Sequence, residues 1–229
     1  MITVIEEPAY PKFRPIPRLH RRVVITEKVN GTNGLIEITD VTDFSTLELP
    51  AQSGFIVHKD ARKYRVSAGS RNRWISPQND NFGFAKWVWE HAYELLALGE
   101  GKHYGEWFGK GIQSGYGLDE KRFALFNVNR WYEPRFHWVV PEHLEPFPKA
   151  QPIPEVATLT VVPVLSVTEG KYLNEEVEEV LHILESSGSF IAPGFRDPEG
   201  IVVWHDAAGV YFKATLKNDE QPKSKVASK

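Results

Sequence analysis

Short runs dominated by branched and aromatic residues recur along the chain, at 22–26, 34–39, 55–58, 103–108, 122–128, 136–140, 160–166, 201–205 and 210–215. Gly, Pro, Asn or Asp bounds most of them, as expected of strands joined by turns. Two segments carry a helical period instead. In 82–98, the residues Ala85, Val88, Trp89, Ala92, Leu95 and Leu96 fall along one face. Asn174 is placed to cap a second helix, with Glu175 and Glu176 in its positive first turn. Its stripe would be Val177, Val180, Leu181 and Leu184, and Gly188 would end it. Many strands and few helices, in no regular alternation, predict an α+β fold built on antiparallel sheets. The stretch 141–154 holds five prolines and reads as a surface connection.

Composition narrows the setting. A chain of 229 residues suits one large domain or two small ones, with a sizeable core. It has no cysteine, which excludes disulfides and cysteine-ligated zinc and is compatible with a reducing compartment. The first residues lack the basic-then-apolar layout of a signal peptide, and no apolar run approaches the roughly 20 residues of a membrane span. A cytoplasmic location without membrane contact is the expectation. The net charge of −3 argues against coating nucleic acid by bulk electrostatics. A local groove is still open, because Lys59, Arg62, Lys63, Arg65, Arg71 and Arg73 crowd together beside Tyr64 and Trp74. Mixed cationic and aromatic side chains suit phosphates and stacked bases, although a solvated basic loop has the same composition.

Candidate chemistry centres on TEKVNGTNG, residues 26–34, a polar turn between two apolar runs. Asn and Gly tolerate tight-turn torsions, so a hairpin tip and a nucleotide pocket both fit the stretch. The ordered blocks downstream decide between them. YGEWFGKGIQSGYG carries Glu106 beside glycines, RFALFNV follows, PEGIVVWH carries Glu199, and VYFKATLK carries Lys213 and Lys217. One nucleophilic lysine, two separated carboxylates at strand ends and a late lysine form a coherent set for nucleotidyl transfer.

These blocks resemble the covalent nucleotidyltransferase superfamily of polynucleotide ligases and RNA capping enzymes. EKVNGTN and GEWFGKGIQ are similar to its ATP-dependent RNA ligase branch, which includes the second RNA ligase of T-even phage and the kinetoplastid RNA-editing ligases. The likeness runs from about Thr26 to Lys217. It implies a nucleotidyltransferase domain over residues 1–218; the polar tail at 219–229 is expected to be disordered, and no separate C-terminal domain is expected, although many ligases use one. It also implies joining of RNA 5′-phosphate and 3′-hydroxyl ends by a monomer, with ATP and Mg²⁺ or Mn²⁺. Lys28 would carry AMP covalently. Glu27, Asn30, Gly31 and Asn33 would line the nucleotide, and Glu106 would contact the ribose. Phe126 would stack on adenine, with Phe123 as the alternative. Glu199 would act near the metal and Lys213 near the α-phosphate. Arg71, or alternatively Arg73, would meet the AMP phosphate or the nick.

The pattern is broken where Thr215 fills the place of a second late lysine, with Lys217 the potential substitute. The spacing between Lys28 and Arg71 is also longer than in the phage enzyme. Two other functions compete with RNA ligation. One is a ligase for DNA or mixed RNA–DNA nicks, and the other is an inactive module that binds RNA ends. Asn30 in place of Asp argues against the first, and retention of Lys28, Glu106, Glu199 and Lys213 together argues against the second.

Overall fold

The structure is a computed structural model that describes residues 12–44, 54–135 and 147–217. In chain order the elements are β1 (Arg22–Lys28), β2 (Thr32–Asp40), β3 (Phe55–Lys59), β4 (Arg62–Gly69), β5 (Trp74–Ile75), α1 (Phe84–Glu90) and α2 (Ala92–Leu95). They continue with β6 (Gly101–Gly109), β7 (Lys121–Leu125), β8 (Trp131–Tyr132), β9 (Gln151–Pro152), β10 (Leu159–Val161), β11 (Val164–Glu169), α3 (Leu173–Ser187), β12 (Gly200–His205) and β13 (Val210–Thr215). The expected strand at 136–140 and the tail at 219–229 lie outside the described residues.

Two sheets organise the molecule. One has the order β11-β1-β12-β13 and is antiparallel throughout. The other has the order β10-β7-β6-β2-β4-β3, antiparallel except for the β10–β7 pair, with β5 added to β4. The fold is α+β and rich in antiparallel pairing, as the pattern of runs predicts.

Strand β1 shows why the layers stack as they do. Val23, Val24 and Ile25 are all fully buried, so both faces of the strand are covered. Alternation sends Val24 into the main core, with Ile36, Val66, Phe108 and Val161. It sends Val23 and Ile25 the other way, into a second cluster with Ile201, Val203 and the helix residues Val180 and Leu184. Helix α3 therefore roofs the outer face of the small sheet, while β1 forms the floor of the space between the sheets.

Four expectations need correction. The run at 160–166 is two strands, because Pro163 separates β10 from β11. Its missing N–H breaks the ladder, and its carbonyl accepts from the Glu27 N–H, so one apolar run passes from the large sheet to the small one. The basic stretch beyond Lys59 is largely the ordered strand β4, with Val66 and Ala68 in the core and Arg65 and Ser67 on the opposite face.

The helix expected over 82–98 starts at Phe84 and breaks at His91, whose ring Nδ1 and backbone N–H both bond the Trp87 carbonyl. Asp80 receives the Ala85 and Lys86 N–H groups at its start. Trp87 rather than Trp89 faces inward, and Trp89 is 56% exposed. Finally, α3 starts at Leu173, with Tyr172 in the cap position, so Asn174 lies inside the helix and makes no cap bond. Its stripe and its end at Gly188 are as expected, with Val180 and Leu184 buried and Val177 and Leu181 packed beside them.

Candidate active site

Strand pairing lines up the face of the small sheet that looks toward the large one. Lys28 lies opposite Gly200, which lies opposite Thr215. One row further along the strands come Thr26, Val202 and Lys213. The side-chain period of two then puts Lys28, Lys213 and Thr215 on one face. Gly200 sits at φ +145°, and a Cβ there would come 2.2 Å from the Ala214 carbonyl oxygen. No other residue type lets β12 run this close to β13 beside Lys28.

The Lys28 ammonium is 2.6 Å from Glu199 Oε2, and both side chains are largely covered, with 18% and 12% exposure. Glu199 immediately precedes β12, so its place at a strand end holds. Beyond Lys28 the chain turns toward the large sheet. There Gly31 donates its N–H to Glu106 Oε1 at 3.1 Å, and Asn33 Nδ2 donates to Glu106 Oε2 at 3.1 Å. Asn33 and Glu106 are cross-strand partners on β2 and β6. A Cβ at Gly31 would sit 2.3 Å from the Trp107 carbonyl oxygen, so glycine is what lets the turn press against β6.

Glu27 points the other way from Lys28, as adjacent strand residues must. The residue is 1% exposed, and its carboxylate accepts from the Ser189 hydroxyl and the Phe190 and Ile191 N–H groups. Burial raises its pKa above the usual carboxyl value, and those three hydrogen bonds only partly oppose the rise. Glu27 therefore ties β1 to the segment leaving α3. Phe126 follows the end of β7 and is partly buried against the core, its N–H on the Tyr104 carbonyl. Phe123, the alternative stacking residue, is fully buried between Phe84 and Trp87 and belongs to the core.

The late cations separate clearly. Lys213 is exposed on the face it shares with Lys28, and its side chain makes no hydrogen bond or ion pair among the described residues. Lys217 lies beyond the end of β13 and pairs with Asp197 at 2.6 Å. Arg71 is exposed in the turn between β4 and β5, whereas Arg73 donates to the Asn79 carbonyl at 3.3 Å. No three His, Asp or Glu side chains gather into a metal-binding group among the described residues. A divalent ion here would rest on Glu199, phosphate oxygens and water, a donor set that suits Mg²⁺.

One residue in this region escaped the sequence reading. Tyr116, inside the YGEWFGKGIQSGYG block, is 2% exposed, and its hydroxyl accepts the Asn30 N–H at 2.7 Å. Its ring packs 4.6 Å from Phe195 and edge-on to Phe108 at 5.4 Å. Burial pushes the phenol well above its ordinary pKa; the Asn30 N–H opposes this, and Glu27, Glu199 and Glu106 add to it. The backbone is left-handed there, at φ +54°, which costs a non-glycine residue roughly 1 kcal/mol or more. The glycines flanking Tyr116 were the only signal of that geometry in the sequence.

The fold is an antiparallel-rich α+β domain with a lysine–carboxylate pair on the face of the small sheet that looks toward the large one. The chain belongs to the RNA ligase family, whose model matches residues 21–217. No curated protein matches it. Solved structures of Naegleria gruberi RNA ligase are similar to it. A point mutant with ATP and Mn shares 15% identity over 87% of this chain and 51% of that one, with a TM-score of 0.49. An apo point mutant shares 15% over 91% and 57%, with a TM-score of 0.47. The form with PPi shares 14% over 86% and 50%, with a TM-score of 0.45. The chain thus spans about half the length of those ligases.

Proposed function

We propose that this protein is an ATP-dependent RNA ligase that works through AMP carried on Lys28. The observation that supports this most directly is the Lys28–Glu199 pair at 2.6 Å, set one row from Lys213 in a chain of the RNA ligase family. Lys28 Nζ attacks the α-phosphorus of ATP, forms a P–N bond, and expels pyrophosphate as the Pα–O bond breaks. The amine must give up a proton to water to attack, and Glu199, by accepting a hydrogen bond from Nζ, holds it in place. Lys213 meets the charge that develops on the α-phosphate. Glu106 keeps the turn after Lys28 in place and offers its remaining lone pairs to the ribose.

A bound Mg²⁺ or Mn²⁺ supplies positive charge to the phosphates, and Glu199 is the side chain that would hold it. An RNA 5′-phosphate oxygen then attacks the AMP phosphorus, breaking the P–N bond and returning the amine to Lys28. A 3′-hydroxyl finally attacks the capped 5′-phosphate and releases AMP. Arg71 is assigned to the phosphate at the joint, and Phe126 to the adenine.

Intact mass spectrometry after incubation with ATP and Mg²⁺ tests the first step. An added AMP is expected that disappears in Lys28→Ala and reverses with pyrophosphate. Label that persists in Lys28→Ala would refute the assignment. Offering RNA, DNA and mixed ends to the labelled protein then tests the acceptor, with RNA expected to discharge the label most rapidly.

A further inference from the structure

Asn30 and Gly31 lie just beyond Lys28, and both of their backbone N–H groups are taken by side chains of the large sheet and its adjoining turn. Gly31 bonds Glu106, and Asn30 bonds the Tyr116 hydroxyl. The second contact asks more of the fold than the first. Tyr116 is held left-handed to bring its ring in, and the ring is fixed between Phe195 and Phe108. A phenol oxygen accepts through lone pairs and keeps its own proton, so it serves an N–H donor while remaining neutral.

We propose that Tyr116 is a positioning residue for Lys28, its hydroxyl fixing the Asn30 backbone and thereby where the amine stands against Glu199 and the nucleotide. Phenylalanine would fill the same space but accept no hydrogen bond, leaving the Asn30 N–H without its partner. Ring packing and the clamp can therefore be separated in one substitution. The inference rests on the nucleotidyl-transfer reading of Lys28. Because the phenol stays neutral, it takes no part in moving protons, and its contribution does not change with pH.

The test is Tyr116→Phe in the full chain, read in two ways. In single-turnover formation of the AMP adduct, the maximal rate falls about tenfold, the size expected from one lost hydrogen bond. The half-saturating ATP concentration stays within about twofold, and the rate ratio to wild type is constant from about pH 6 to about pH 9. In amide hydrogen exchange without nucleotide, Asn30 is protected in wild type and exchanges about tenfold faster in the variant. A wild-type rate, a loss lying entirely in ATP affinity, or an unchanged Asn30 amide would each overturn the proposal. If wild type forms no adduct, the nucleotidyl-transfer reading fails, and Asn30 exchange alone decides the clamp. Should the variant not fold, an Asn30 amide in wild type that exchanges as fast as exposed turn amides overturns it.

Discussion

Lys213 and Lys217 differ by four positions and by everything that matters for catalysis. Lys213 shares a face with Lys28 and has no partner among the described residues, while Lys217 is past the strand end and paired with Asp197. An exposed ion pair of the Lys217 type contributes little, whereas a cation at a phosphate that gains charge acts on the transition state. Lys213→Ala is therefore expected to slow formation of the AMP adduct about a hundredfold, or about 3 kcal/mol in the barrier. Lys217→Ala should leave it within about twofold, since we propose that the pair with Asp197 keeps Lys217 from standing in for the missing second lysine. Equal losses from the two substitutions would show that the end of β13 moves when nucleotide binds. At this scale, Lys28, Glu106 and Glu199 were legible because their motifs carry order as well as identity. Tyr116 was not, because its meaning comes from a left-handed backbone and a partner 86 positions away.

At the scale of elements, β1 bears two duties on its two faces. Lys28 looks into the space between the sheets, and Glu27 anchors the segment that leaves α3. A burial-raised carboxyl pKa has a definite sign in stability. Between the ordinary value of 4.5 and the higher folded value, the native state holds more of this proton than the unfolded chain does. The contribution is thus most favourable in acid and is lost as pH rises through the folded pKa. Glu27→Gln keeps the shape without the ionisation, so its unfolding free energy should gain on wild type between about pH 5 and about pH 8. Parallel pH profiles in denaturant unfolding would exclude this account. The opposite facing of Glu27 and Lys28 could be deduced from strand period alone. Strand β4 could not, because charged residues fill its exposed end and only Val66 and Ala68 show the alternation. The break at Pro163 was visible as a residue, but the change of sheet that it permits depends on partners distant in sequence.

For the whole molecule, the question is how a chain of net charge −3 would hold RNA ends. The basic cluster looked generous in sequence, but folding spends most of it. Arg65 is buried on β4, Arg62 pairs with Asp40, Lys63 donates to the Phe44 carbonyl, and Arg73 donates to Asn79. Arg71 and Lys213 stay exposed, and their side chains make no hydrogen bond or ion pair among the described residues. A proposed footprint of two or three phosphates gives a slope of about −2 in log affinity against log salt, taking about −0.7 per phosphate on a single strand. Between about 50 and about 200 mM salt, affinity for an RNA end should then fall only about tenfold to twentyfold, against about three hundredfold for six contacts. Binding this shallow is also weak, so AMP-capped RNA should accumulate when ATP recharges Lys28 before the intermediate is sealed. The check is a salt titration of RNA-end binding in wild type and Arg71→Ala, with capped RNA followed in parallel. Loss of one phosphate contact should flatten the slope by about 0.7. A wild-type slope steeper than about −4 would mean that Arg62, Lys63 and Arg73 leave their protein partners for phosphate, and that the basic cluster is a groove after all.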